Sequence, residues 1–157
     1  MTTNAEIVQQ LPDLTVSSSH GELNLADLTS HYNLLYFYPR DLTAGCTTQA
    51  QDFRDLQPEF EQFGVKIYGA SRDTLARHAK FIEKENIPFP LISDPEEVLC
   101  RQFDVIKTKN MYGKQVQGIE RSSFLFNPQG QLVKSWRKVR AAGHAKAVLQ
   151  FVKDQSL

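Results

Sequence analysis

Leu34-Leu35-Tyr36-Phe37-Tyr38 is an unbroken apolar and aromatic run that stops at Pro39. A run without polar alternation suits a central strand covered on both faces. Proline has no N–H to donate to a ladder, so the strand ends there. Downstream, Ala50, Phe53, Leu56, Phe60 and Phe63 recur at helical spacing over residues 47–63. Pro58 lies inside that pattern and is expected to kink or break the helix. A doubly covered strand that feeds an amphipathic helix constrains the chain to a layered α/β arrangement.

The rest of the chain repeats the alternation. Residues 65–70 read as a second buried strand. Residues 73–85 read as a helix, with Asp73 as N-cap and Leu75, Ala79 and Ile82 on one face. Residues 89–93 read as a third, short strand, and 95–103 as a short helix after an Asp94 cap. Residues 107–117 are polar and read as a loop. Residues 122–126 and 131–136 form a hairpin around Asn127-Pro128-Gln129-Gly130, a type I turn by its proline and glycine. Residues 144–153 close as a helix with Ala145, Val148, Leu149 and Val152 inward. Ahead of these, residues 14–17 and 22–25 read as a short hairpin or extended arm, and residues 1–10 as a loosely ordered lead-in. The expected fold is α/β, a single domain over 1–157, with parallel strands early and an antiparallel hairpin late.

The 157 residues suffice for one sizeable core. Eighteen basic side chains balance 18 acidic ones, which gives no support for nucleic-acid or membrane binding. No apolar run is long enough to span a bilayer. The start, Met1-Thr2-Thr3-Asn4-Ala5-Glu6, lacks the basic and apolar segments of a signal peptide, so a cytoplasmic location is expected. His20, His31, His78 and His144 show no metal-ligand spacing and read as surface or core residues, so no metal or cofactor is expected. Lys134, Arg137, Lys138 and Arg140 read as a solvated strand face, and Trp136 as packing. There is no phosphate loop, dinucleotide fingerprint or zinc motif.

Two cysteines are too few for a disulfide scaffold, and position separates them. Cys46 stands at a strand-to-helix junction. Helix starts present unpaired N–H groups and partial positive charge, which favour the nucleophilic thiolate. Cys100 stands with Leu99 and Phe103 near one helix face and reads as a half-buried structural thiol. Around Cys46, the Thr43 hydroxyl can donate and accept hydrogen bonds, and Pro39 pre-sets the backbone and shields the site from water. A guanidinium would stabilise the sulfur's charge, but Arg40, Arg54 and Arg121 are all open. Each residue also has a plainer reading: Thr43 as a helix cap, Pro39 as a strand terminator, Arg121 as a surface residue and Cys46 as an inert buried thiol.

The spacing Pro39-xxx-Thr43-xx-Cys46 resembles the Pro-xxx-Thr-xx-Cys signature of the peroxiredoxins, cysteine peroxidases of the thioredoxin fold. Cys46-Thr47-Thr48-Gln49-Ala50 is most similar to the bacterioferritin comigratory protein (peroxiredoxin Q) branch. The resemblance continues through Ser93-Asp94-Pro95, Arg121-Ser122-Ser123-Phe124-Leu125 and Trp136-Arg137-Lys138-Val139…Gly143-His144, nearly the whole chain. It implies a thioredoxin-like fold with a central mixed sheet flanked by helices. It implies a thiol-dependent peroxidase that reduces hydrogen peroxide and organic hydroperoxides through a Cys46 sulfenic acid. It selects Arg121 among the arginines, and so the catalytic set Cys46, Thr43, Arg121 and Pro39, with Gln49 flanking the site. The implied partners are a peroxide substrate and a thioredoxin, glutaredoxin or small-thiol reductant, with the protein a monomer or weak dimer.

The chain departs from the branch at the resolving cysteine. Gln51 holds one position that many members give to it, and the helix over 73–85 has no cysteine. Either Cys100 or an external thiol must then reduce the Cys46 sulfenic acid; the expectation is the external thiol. Two other functions compete. A thiol–disulfide oxidoreductase needs a second thiol where Gln49 stands, and a holdase or binding module would leave Cys46 inert.

Overall fold

The computed structural model describes residues 6–155. In chain order the elements are β1 (Thr15–Ser18), β2 (Gly21–Asn24), a 3-10 turn (Leu25–Asp27), β3 (Tyr32–Phe37), α1 (Ala44–Gln62), β4 (Val65–Ser71), α2 (Leu75–Glu85), β5 (Leu91–Ser93), α3 (Val98–Gln102), β6 (Ile106–Met111), β7 (Lys114–Ile119), β8 (Ser122–Phe126), β9 (Leu132–Trp136) and α4 (His144–Asp154). Seven strands form one mixed sheet in the order β2-β1-β5-β4-β3-β8-β9. β3, β4 and β5 run parallel, joined by α1 and α2, while β1, β8 and β9 join antiparallel. The fold is therefore thioredoxin-like, with early parallel strands and a late antiparallel hairpin.

β3 carries the alternation that sorts the core. Successive strand residues face opposite sides of a sheet. Leu34, Tyr36 and Tyr38 pack with Cys46, Ala50, Phe53 and Phe60 of α1, Phe81 of α2 and Ala145, Val148 and Val152 of α4. Leu35 and Phe37 pack on the other face with Leu99 and Cys100 of α3, Phe103, Ile119 and Phe124. Gly69 of β4 is a glycine because the Tyr36 ring and Leu91 lean over it; a Cβ there would meet Leu91 Cδ2 at 2.8 Å and Tyr36 Cζ at 3.1 Å.

Several boundaries differ from those read off the sequence. Residues 107–117, expected as a loop, belong to a separate two-stranded sheet in which β6 pairs with β7 from Ile106–Ile119 to Met111–Lys114. Its turn has Tyr112 at φ +53° and Gly113 at φ +80°, the two left-handed residues of a tight hairpin. Polar side chains on both faces hid its period. Pro58 does not break α1, which continues to Gln62. The cap of α2 is Thr74, whose hydroxyl accepts from Arg77 N–H at 3.2 Å. Asp73 is used elsewhere. α3 starts at Val98 rather than at residue 95, and its N-cap position is Glu97, not Asp94; the Asp94 carboxylate nevertheless reaches the helix start, accepting from Leu99 N–H at 3.1 Å and Cys100 N–H at 2.7 Å. Of the lead-in expected over 1–10, residues 1–5 lie outside the described residues. Glu6 is tied to Arg137 at 2.7 Å and Ser135 at 2.9 Å, and the Gln9 carbonyl accepts from Leu132 N–H at 2.9 Å. Among the described residues, no helix is long and apolar enough to cross a membrane.

Candidate active site

Cys46 is the third residue of α1 and only 2% exposed. The first i,i+4 bond of the helix runs from Thr47 N–H to the Thr43 carbonyl at 2.8 Å. The N–H groups of Ala44, Gly45 and Cys46 therefore have no carbonyl behind them in the helix. The sulfur thus sits inside the first turn, at the positive end of the helix dipole.

Arg121 arrives from a distant part of the chain, in the link between β7 and β8. Its carbonyl accepts from Val139 N–H at 3.0 Å, which holds the backbone. Its Nη2 donates to Cys46 Sγ at 3.6 Å and its Nη1 to Gln49 Oε1 at 2.5 Å. Gln49 lies one turn along from Cys46, on the same face of α1. The pair forms a bracket: Gln49 orients the guanidinium, and the guanidinium faces the sulfur. Gln49 is fully buried, and its Nε2 has no hydrogen-bond partner among the described residues.

Thr43 is the backbone N-cap of α1 but makes no side-chain cap bond. Its hydroxyl is exposed and donates to the Arg40 carbonyl at 2.7 Å. Thr43 is thus the N-cap residue, as its plainer reading has it, but its side chain caps no helical N–H. Pro39 is half-buried and follows Tyr38, whose N–H still bonds the Ala70 carbonyl at 3.0 Å. The ladder thus ends at Pro39. Arg40 and Arg54 do not make the contact to the sulfur; Arg54 bonds the Glu85 carbonyl at 2.7 Å and Asp55 at 2.9 Å.

Sequence reasoning missed the polar groups behind the site. Ser123 Oγ lies 2.8 Å from His144 Nε2, both buried. Burial, and then the Arg121 charge, hold His144 down at about 4. The ring is neutral near pH 7, which leaves Arg121 as the cation beside the sulfur. Tyr36 and Tyr38 are pushed well up by burial, with the nearby Asp41 carboxylate adding to it, and stay neutral phenols. Asp41, Asp73 and His78 present possible metal-ligand atoms within 4.8 Å of one another. Those atoms already bond within the protein: Asp41 to His78 and Tyr38, Asp73 to Ser71. Only their proximity in space reveals this group, since Asp41 and His78 lie far apart in the chain.

Cys100 is fully buried on the opposite face of the sheet from Cys46. Burial, and then a hydrogen bond with Asp94, push its thiol far up, so it is a poor nucleophile. Both cysteines are free.

The AhpC/TSA family model matches residues 7–135. Peroxiredoxin Bcp of Xanthomonas campestris is 53% identical over 153 residues, covering 94% of this chain and 96% of the relative. Peroxiredoxin Bcp of Bacillus subtilis is 47% identical over 152 residues, covering 96% of this chain and 97% of the relative. Among solved structures, Xanthomonas campestris peroxiredoxin Q superposes with a TM-score of 0.88 at 52% identity, over 96% of this chain and 98% of that one. A mutant of Xylella fastidiosa peroxiredoxin Q superposes at 0.90 with 39% identity, over 100% of this chain and 98% of that one. By both sequence and fold, the chain belongs to the AhpC/TSA family, in its peroxiredoxin Q (bacterioferritin comigratory protein) branch.

Proposed function

We propose that this thiol-dependent peroxidase works through Cys46 as the peroxidatic thiol, with Arg121, Thr43 and Pro39 completing the site, and an external thiol closing the cycle. The observation that carries the reading is the 3.6 Å contact from Arg121 Nη2 to Cys46 Sγ at the start of α1. The sulfur attacks one peroxide oxygen and the O–O bond breaks. Cys46 becomes a sulfenic acid, and the leaving oxygen takes a proton to depart as water or an alcohol. Charge grows on the leaving oxygen, and the donors for it are the guanidinium and the free N–H groups of the first helical turn. Thr43, its own proton committed to Arg40, accepts from a peroxide O–H and so orients the substrate. Pro39 covers the sulfur's approach.

Reduction then needs two thiols from outside. The first displaces water from the sulfenic acid and leaves a mixed disulfide. The second releases Cys46 as thiol and leaves with the first as a disulfide. Cys100 is on the wrong face of the sheet to replace either. The Xanthomonas campestris bacterioferritin comigratory protein, 52% identical to this chain, has alkyl peroxide reduction activity. Organic hydroperoxides are accordingly proposed here beside hydrogen peroxide. A thioredoxin, a glutaredoxin or a small thiol is the proposed donor, and the cytoplasm the proposed compartment.

The test treats reduced protein with one equivalent of peroxide, traps sulfenic acid and maps both cysteines by mass spectrometry. The expected result is an adduct on Cys46 and an unmodified thiol at Cys100, with no peroxide consumed by Cys46→Ser. Turnover retained in Cys46→Ser, or a dominant Cys46–Cys100 cross-link, overturns the reading.

A further inference from the structure

The turn that delivers Thr43 and Cys46 contains a residue in a conformation it does not favour. Leu42 has φ +65°. In that left-handed region a Cβ crowds the carbonyl, and residues other than glycine stay there only when their surroundings hold them. The holding contacts converge on the preceding residue, Asp41, which is fully buried. Its Oδ1 accepts from the Tyr38 hydroxyl at 2.5 Å, and its Oδ2 lies 2.6 Å from His78 Nδ1. Its N–H donates to Asp73 Oδ2 at 2.8 Å, and its carbonyl accepts from Arg77 Nη2 at 3.1 Å. Every polar atom of Asp41 is engaged, and His78 and Arg77 both belong to α2.

His78 is held as firmly. It is fully buried, and its Nε2 stands 2.9 Å from the Ile92 carbonyl of β5. A carbonyl only accepts, so Nε2 carries a proton. The contact between Nδ1 and Asp41 Oδ2 is short and lies away from water, where such hydrogen bonds are strong. Asp73 is braced by the Ser71 hydroxyl at 2.6 Å, and Arg77 Nε lies 3.1 Å from Asp73 Oδ1, an ion pair without hydrogen-bond alignment. The network therefore anchors one point of the β3–α1 turn to α2, β4 and β5. That point lies between Pro39 and Thr43.

We propose that Asp41 and His78 are positioning residues for peroxide reduction: their contact holds the Leu42 turn, and the turn sets Thr43 and Cys46 against the peroxide. The proposal rests on Cys46 being the peroxidatic thiol. Neither residue touches the reacting atoms. A stabilising network elsewhere would serve the fold alike; this one grips the single turn that carries the site.

The experiment compares two reactions of one thiol in Asp41→Asn: Cys46 with hydrogen peroxide, and Cys46 with iodoacetamide. Alkylation needs the thiol but not the alignment with Thr43. The expected result is a peroxide rate constant at least tenfold lower, with alkylation changed less than threefold. Adding Leu42→Gly, which removes the left-handed penalty, is expected to recover at least threefold of the loss. A peroxide rate within threefold of the unmodified protein overturns the proposal. So do peroxide and alkylation rates that move together, or an absence of recovery with Leu42→Gly. Should Asp41→Asn not fold, Tyr38→Phe deletes the 2.5 Å bond to Asp41, with the longer 3.5 Å contact to His78 Nδ1, and keeps the ring packing. It is expected to slow the peroxide reaction about three- to tenfold, and an unchanged rate again overturns the proposal. If the unmodified protein fails to react with peroxide, it is the peroxidase reading that falls.

Discussion

Replacing Gly45 by alanine should make the protein more stable and slower at once. Gly45 is the second residue of α1. A Cβ built on it stands 3.3 Å from Arg121 Nη2 and 4.0 Å from Ala141 Cβ. The first distance is tighter than ordinary contact, so the guanidinium has to retreat by a few tenths of an ångström. That retreat is at the expense of the site contacts, because Nη1 bonds Gln49 at 2.5 Å and Nη2 faces Cys46 at 3.6 Å. A misplacement of about 1 Å costs roughly 10²-fold in rate, so a few tenths correspond to about three- to sixfold. In the helix itself alanine is favoured over glycine by about 0.5–1 kcal/mol. For a chain of this size that raises Tm by about 1–4 °C. The assay is single-turnover stopped flow with hydrogen peroxide, beside a thermal melt of the reduced protein. A raised Tm with an unchanged rate refutes the idea that this guanidinium contact matters to the chemistry. A lower Tm refutes it differently, by placing the clash in the packing.

His144 and Cys100 test the surroundings of the site. His144 titrates at about 4 in the fold against an ordinary 6.5. As pH falls below 6.5 the unfolded chain takes up a proton that the folded one refuses, so stability is intact above 6.5 and is lost toward pH 4. At pH 5 the loss is about 2 kcal/mol. Urea unfolding should show unmodified protein losing about that much more than His144→Asn between pH 7.5 and 5; equal losses would falsify it. Cys100→Ala should keep peroxidase turnover with an external thiol within twofold while losing about 1–2 kcal/mol by calorimetry, since a buried sulfur leaves a cavity. Loss of turnover with the fold intact makes Cys100 a participant.

The parallel core was legible because its signals are local. Leu34 to Tyr38 is apolar throughout and lies beneath helices on both faces, and Pro39 ends its ladder. The β6–β7 hairpin was not legible, because its exposed strands lack a buried face to impose a period of two. Only Tyr112-Gly113 at its centre carried a turn signal. At the site, the Pro39, Thr43 and Cys46 spacing could be read because all three lie in one short stretch from the end of β3 to the first turn of α1. Arg121 could not be chosen among the arginines without the resemblance, since its approach to Cys46 depends on how β8 docks against β3. His78 gave no sign at all. A histidine one turn into an amphipathic helix looks like any polar residue until Asp41, the end of another strand away, is brought to 2.6 Å.

The separation of the two thiols follows from the order of the strands. β3, α1, β4, α2 and β5 step across the sheet in one direction, and right-handed crossovers of that kind place α1 and α2 on the same face. Cys46 opens α1 and so belongs to that face. From β5 the chain must return past β4 and β3 to reach β8, on the far side of β3. α1 and α2 cover the first face over β3, β4 and β5, and the return, with α3 and Cys100 on it, passes over the other. A disulfide requires Cα atoms within about 7 Å, and a complete sheet stands between these two. Cys46 and Cys100 can meet only if α1 or α3 leaves the sheet and uncovers Phe53 and Phe60, or Leu99 and Phe103. Burial of a phenylalanine or leucine is worth about 1.5–3 kcal/mol each. Either departure therefore costs several kcal/mol before any bond forms, a cost that the proposed outside thiol, which needs to reach only the start of α1, does not carry.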